Sequence, residues 1–240
     1  MTTRGRRGVT GAVVRKDLAT LWSSPLPWVV GALLHATLGL LYVGDLQARQ
    51  QALIQPMVPL AGFLLLAAAP VLSMRSFAEE SRSGTLDLLL AVPARPRPLV
   101  LGKWLAAWGS ALGVLAPAGA YVVLLRLWGR PDTGPVVSGF VGLVLFCAAL
   151  TAIGVLTSSL SSSQPVAAVV ALFVTLILWF AHVGSGALAA GPLLAHLSIS
   201  ERLRSFAAGV IDSGDVAFLA VVTVAALLLA MLAVDARRLR

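Results

Sequence analysis

Residues 133–200 read TGPVVSGFVGLVLFCAALTAIGVLTSSLSSSQPVAAVVALFVTLILWFAHVGSGALAAGPLLAHLSIS, 68 residues without one Asp, Glu, Lys or Arg. A helix needs roughly 20 apolar residues to cross the hydrocarbon of a bilayer, so this run is too long for one crossing and long enough for two. The natural break is Thr157-Ser158-Ser159-Leu160-Ser161-Ser162-Ser163-Gln164-Pro165. Its hydroxyls compete for backbone hydrogen bonds, and the proline that follows cannot donate one. Outward from this run, residues 18–44, 50–74, 104–125 and 216–234 are equally free of charge. The reading is an all-α integral membrane protein with six spans, at about residues 28–44, 52–74, 102–125, 136–156, 166–184 and 216–234.

The composition agrees. Of 240 residues, 58% are hydrophobic and 12% charged, where a soluble domain carries about 25% charge. Mean hydropathy is +0.92 over the whole length, which one buried core helix would not produce and which excludes disorder. A single cysteine, Cys147, excludes a disulfide framework. The net charge of +8 would suggest nucleic acid in a soluble chain. Here the charges lie between apolar runs, so they report orientation and contact with anionic headgroups, and no nucleic-acid partner is expected. Sixteen of the eighteen basic residues are arginine, a bias that points to a GC-rich bacterial genome.

An even number of spans puts both termini on one side. Thirteen Lys and Arg fall on that side, at the N-terminus, between spans two and three and at the C-terminus, against five on the other (Arg49, Arg126, Arg130, Arg202, Arg204). The positive-inside rule therefore puts both termini in the cytoplasm of a multi-pass protein of the bacterial plasma membrane. Trp22, Trp28, Trp104 and Trp108 fall at the cytoplasmic ends of spans, and Tyr42, Tyr121, Trp128 and Trp179 near the outer ends, as interfacial aromatics do. A long basic start, Pro25 and Pro27, and no small-x-small site after the apolar run argue against a cleaved signal peptide. The chain is thus one transmembrane domain, 1–240: a cytoplasmic N-terminus at 1–24, a bundle at 28–234 and a tail at 235–240. Within the N-terminus, Val14, Leu18, Leu21 and Trp22 lie opposite Arg15, Lys16 and Asp17 at helical spacing, which reads as a helix in the cytoplasmic interface. A flexible basic tail is the alternative.

The cytoplasmic loop after span two separates its charges from its leucines. Arg75, Glu79 and Arg82 fall at i, i+4 and i+7 and can pair along one face. Gly84 breaks that helix, Ser83 or Thr85 can cap another, and Leu86, Leu89 and Leu90 give it an apolar edge before Pro93. About seven residues make about 10 Å of helix, too short to stand alone. It either docks a cytoplasmic partner or rests on its own bundle. The stiff Arg95-Pro96-Arg97-Pro98 that follows favours a lever.

Phe77, Glu79-Glu80, Arg82, Ser83-Gly84-Thr85, Leu86, Leu88-Leu89-Leu90, Pro93 and Leu101-Gly102-Lys103 resemble the F-x-EE-x-R-x-GT-x-(E/D)-LLL-x-x-P…LGK signature of ABC-2-type transporter permeases, closest to the gliding-motility and NosY-like subgroup. Residues 206–215, from Phe206 through Gly209, Val210, Ile211 and Asp212 to Asp215, resemble the subgroup's F-x-x-G-(V/I)-I-D-x-x-D segment before the last span. The chain departs from the pattern at Asp87, where Glu is commoner, and at Ala208, where a basic residue is frequent.

The resemblance implies six transmembrane helices of the ABC-2 exporter type, with an N-terminal interfacial helix and short outer helices between helices 5 and 6. A cytoplasmic coupling helix would lie between helices 2 and 3. It implies two permease chains, identical or not, forming the path, and two copies of a separate ATP-binding cassette subunit that bind ATP and Mg. This chain would then bind no cofactor and would not be the enzyme. Contact with the nucleotide-binding subunit falls on Glu79, Glu80, Arg82, Gly84, Thr85, Leu86, Asp87, Leu89 and Leu90, and an outer gate or exit on Phe206, Gly209, Asp212 and Asp215.

Bland readings stand beside these. Asp215 would cap the sixth span and Asp212 a turn. Ser198-Ile199-Ser200-Glu201 has capping-box form, with Leu203, Phe206, Ala207 and Val210 as an apolar stripe. His35, the ionisable group well inside a span, lines the path or bonds to a neighbouring helix. His182, His196 and Cys147 assemble no metal site, and charge-free spans argue against a proton-coupled carrier. Gly109-Ser110-Ala111-Leu112-Gly113 is a close-packing motif first and a dimer seam second. Gly102-Lys103 lacks the rest of a phosphate loop, and no hydrolase motif is present. Two alternative functions remain open: a haem-export-like permease of cytochrome maturation, and a membrane scaffold that anchors an ATPase complex without transport.

Overall fold

The computed structural model describes residues 3–49, 53–84, 96–128, 132–183 and 196–238. The segment expected to form the leucine-edged coupling helix (Thr85, Leu86, Asp87, Leu89, Leu90) lies outside the described residues. Among the described residues there is no strand. The helices are α1 (Thr3–Ser23), α2 (Leu26–Arg49), α3 (Met57–Ser73), α4 (Arg75–Arg82), α5 (Pro96–Leu115), a 3-10 turn (Ala116–Ala118), α6 (Gly119–Trp128), α7 (Thr133–Leu160), α8 (Gln164–Phe180), α9 (Ile199–Ala207) and α10 (Ser213–Arg238).

Among the described residues five helical stretches are long and apolar enough to cross a membrane: Leu26–Ala48, Met57–Arg82, Arg97–Leu127, Thr133–Leu160 and Ser213–Arg237. The expected fifth span, 166–184, is shorter. At 1.5 Å per residue the 17 residues of α8 cover about 25 Å, less than the hydrocarbon thickness of about 30 Å. The helix ends where the Trp179 carbonyl takes hydrogen bonds from the hydroxyls of Ser200 (2.8 Å) and Ser198 (3.4 Å). Leu40 is 76%, Leu127 72% and Ile177 68% exposed, apolar surface that a bilayer or another apolar chain covers and water would not.

Helix α7 is the hub: in its most apolar 18 residues 72% are buried, against 22% and 28% in the corresponding stretches of α2 and α10. Asp132 caps it by accepting from the Gly134 amide at 3.1 Å. It runs through Thr157, Ser158 and Ser159 to Leu160, four residues past the expected end. The Thr157 and Ser159 hydroxyls bond back to the carbonyls of Gly154 and Leu156 within the same helix and do not break it. The break comes at 161–163, ahead of Pro165 at the start of α8. Trp104 and Trp108 stack at 5.6 Å and donate to the Ala148 and Val144 carbonyls, both at 3.1 Å. They join α5 to an antiparallel α7, besides any interfacial role.

Helix α1 extends ten residues further toward the N-terminus than the expected amphipathic segment and is packed on the bundle. An added Cβ on Gly102 would meet Val13 at 2.8 Å, one on Gly109 would meet Leu18 at 3.7 Å, and one on Gly113 would meet Trp22 at 2.5 Å. The three pairs advance together, so α1 runs parallel to α5. The Gly109–Gly113 motif is occupied from within the chain, as its packing reading expects. After the bend at Ser24–Pro25, α2 continues in the same direction beside the second half of that span. His35 on α2 lies 2.8 Å from the Val114 carbonyl through Nε2, and the Tyr121 hydroxyl donates to the His35 carbonyl at 2.9 Å. A carbonyl only accepts, so Nε2 carries a proton. Val114 stands where α5 passes into the 3-10 turn Ala116–Ala118, and His35 supplies a donor to its carbonyl there.

Candidate functional site at helix α4

Helices α3 and α4 are one span with an interruption at Met74. Pro70 lacks an amide proton inside α3, but the break itself comes from α7. The Ser158 hydroxyl donates to the Met74 carbonyl at 2.8 Å and accepts from the Phe77 and Ala78 amides at 2.9 and 3.0 Å. One proton and two lone pairs are thereby all used. In an uninterrupted helix Ala78 would donate to Met74; here a side chain from a neighbouring helix sits in that gap, a recognised cause of a helix kink. Eight residues, Arg75–Arg82, thus leave the span as a distinct short helix. Their far end is Gly84 at φ +70°, with open space where a Cβ would stand, so glycine is there for its left-handed backbone.

Helix α4 is fastened on several sides. Lys103, 3% exposed on α5, places Nζ 2.8 Å from Glu80 Oε1 on α4 and 3.3 Å from Asp17 Oδ2 on α1. The same ammonium stands 5.2 Å from the centroid of the buried Phe77 ring. Lys16 adds a longer approach to Glu80 at 3.8 Å. From α10, Arg237 donates to the Ser81 hydroxyl at 3.0 Å. A buried ammonium needs a carboxylate with good geometry, and here it has two, contributed by two helices. Beside the cluster lies a cavity of about 220 Å³, lined among others by Thr20, Leu72, Arg75 and Ser83.

The expected pairing of Arg75, Glu79 and Arg82 along α4 does not form. Among the described residues no ion pair joins them, Glu79 and Arg82 are exposed, and Glu80 on the inner face takes the ionic role. The physical reason is burial: a pair in water contributes little, whereas Lys103 has no escape from the bundle. Lys103 and Asp17 were missing from the expected site. The signal was legible, because Lys103 is the only charged residue between Arg97 and Arg126, and such an isolated ammonium needs an acid from elsewhere.

The outer residues do not form one cluster. Phe206 is fully buried, accepts the Ser138 hydroxyl at its carbonyl (2.7 Å) and packs against Gly142 of α7. Gly209 takes φ +95°, with Pro135 3.3 Å from where a Cβ would be. Of the bland roles expected of the two aspartates, the cap of the last helix falls to Asp212 and not to Asp215. Asp212 caps α10, accepting from the Gly214 amide at 2.7 Å. Asp215 is 3% exposed and pairs with Arg202 at 2.8 Å, while Arg202 lies 5.2 Å from the Phe218 ring. Ser198 is the N-cap of α9 but makes no side-chain cap bond, because its hydroxyl turns to the Trp179–His182–Ser200 group. Val210, expected on the buried stripe of α9, is 56% exposed beyond its end. Among the described residues no three His, Cys, Asp or Glu are placed to hold a metal ion.

A family model described as ABC-2 family transporter protein matches residues 40–204. The match takes in α4, Lys103, the Ser158 contact and most of α9, and leaves α1 and the whole of α10 outside. No curated protein matches the chain.

Proposed function

The chain belongs to the ABC-2 family of transporter proteins, and from that premise we propose that it is the permease subunit of an exporter of the gliding-motility and NosY-like kind. Membership makes it a multi-pass membrane component that works with an ATP-binding subunit. The proposal adds six spans, cytoplasmic termini, two permease chains and two ATP-binding subunits. It also adds α4 with the loop at 85–91 as the element that receives force. ATP and Mg belong to the partner; ATP-driven closure of that partner would push Leu86, Leu89 and Leu90, and the push would reach the spans through α4.

The observation that carries this reading is the Lys103–Glu80–Asp17 cluster. A lever transmits force only if it is stiffly joined to what it moves, and α4 is joined to α1 and α5 by buried charge and to α7 by three hydrogen bonds to Ser158. Phe206, Gly209 and the Asp215–Arg202 pair would shape the outer exit as packing and ionic fixtures. His35 would face the path only if its helix-to-helix bond opened.

The test is to co-express the chain with its ATP-binding subunit, purify the complex and measure ATP hydrolysis in vesicles. The expected result is that Leu89→Arg abolishes stimulated hydrolysis and transport while leaving the helical content unchanged. Failure of the two chains to co-purify, or full transport by the variant, contradicts the coupling reading. A bound-haem spectrum would turn the assignment to haem export, and hydrolysis indifferent to any cargo would turn it to a scaffold.

A further inference from the structure

The seam between α1 and α5 has two flanks of opposite character. On the inner flank lie Lys103, Asp17, Glu80 and Lys16, cations matched by anions. On the outer flank is an open groove of about 750 Å³ lined by α1 and α5 alone. Its apolar wall is Val14, Leu18, Leu101 and Leu105, and its charged residues are Arg15 and Arg97. Among the described residues no acidic one lines it, and both arginines are exposed. Leu101 and Leu105 are four and eight residues from Arg97, so one face of α5 is charged at its start and apolar for about 12 Å beyond. At the far end of the seam Trp22 and Trp28 pack edge to face at 5.1 Å.

We propose that this groove binds an anionic phospholipid, with its phosphate between Arg15 and Arg97 and an acyl chain along Val14, Leu18, Leu101 and Leu105. The chemistry is complementary on both counts: two uncompensated guanidiniums suit a phosphate, and the apolar wall suits a hydrocarbon chain. A zwitterionic lipid brings its own cation to the arginines and gains less. The inference rests on the membrane location of the chain and not on the coupling reading. An occupied groove would hold α1 against α5 and so steady the Asp17 side of the cluster.

The detergent-purified full chain, without its ATP-binding partner, is titrated with dioleoyl-phosphatidylglycerol or dioleoyl-phosphatidylcholine and the bound lipid is counted by native mass spectrometry. Each arginine near an anionic headgroup contributes about fivefold, converted from about 1 kcal/mol, so the anionic lipid should bind about 25-fold more tightly at one site. The double variant Arg15→Gln, Arg97→Gln should erase the preference, and Arg126→Gln should retain it. Leu105→Trp, which fills the groove, should weaken both lipids. Preference surviving in the double variant overturns the proposal, as does full displacement of lipid by glycerol phosphate, which would make the site one for soluble phosphates. Because the lipid titration contains no ATPase, its failure and that of the coupling proposal are read separately.

Discussion

Replacing Lys103 by methionine keeps the volume of the side chain and removes its charge. Glu80 and Asp17 retain 14% and 17% side-chain exposure, so two half-sequestered carboxylates would then face each other and the Phe77 ring. At 2.8 Å and an effective dielectric of about 20, the Lys103–Glu80 attraction is about 6 kcal/mol gross, and the 3.3 Å contact to Asp17 about 5. Most of that is offset by taking an ammonium of 3% exposure out of water. Removing one partner leaves the opposite charges uncompensated, so Lys103→Met should destabilise the chain by about 3–5 kcal/mol. Glu80→Gln should cost less, since Asp17 still answers the ammonium. The double variant should cost less than the sum of the singles, with a coupling of about 1–3 kcal/mol. The assay is unfolding in mixed micelles of rising dodecyl sulfate fraction, followed by far-UV circular dichroism, for the four members of the cycle. A loss below about 0.5 kcal/mol for Lys103→Met, or a coupling below about 0.3 kcal/mol, would refute the cluster as a structural joint.

Ser158→Ala leaves the Phe77 and Ala78 amides without their acceptor, at a cost of about 1–3 kcal/mol. Hydrogen exchange at those two amides should speed up, and unchanged exchange would mean that α3 and α4 had simply rejoined. Gly84→Ala forces a Cβ into the left-handed region at φ +70° and should cost about 1–2 kcal/mol in the same unfolding assay; because the space is open, a larger loss would contradict a purely backbone cause. Gly113→Ala brings a methyl to 2.5 Å from the Trp22 ring and should alter the tryptophan emission. Gly119→Ala, with nothing within 4 Å, should leave emission alone and stabilise by up to about 1 kcal/mol. Asp215→Asn weakens the contact to Arg202 by about 1.5–3 kcal/mol, against about 1 kcal/mol for the exposed cap lost in Asp212→Ala; the reverse order would mean that the roles of the two aspartates are misassigned.

The fold was largely legible because bilayer crossing is a length and charge problem, and charge-free runs report both. What could not be read was how helices meet. The hydroxyls at 157–159 look like a helix breaker, yet inside a bundle two of them bond to their own helix, and Ser158 breaks a different helix by reaching into it. Helical spacing places Arg75, Glu79 and Arg82 on one face, but it does not say that this face is wet. Which acid meets Lys103 depends on α1 lying along α5, and that in turn on glycines whose spacing was visible but whose partner was not. Capping-box form at Ser198 was overridden by the free carbonyl of Trp179, a competitor nineteen residues away.

The central claim is that the end of α4 and the loop after it face the cytoplasm, where an ATP-binding partner can grip them. The most direct test is Leu86→Cys expressed in intact cells and treated with a maleimide that does not cross membranes. Cys147 is fully buried, so the unmodified chain serves as the blank. No labelling until the cells are permeabilised, and protection by the ATP-binding subunit thereafter, is the predicted result; labelling of intact cells from outside would contradict the account.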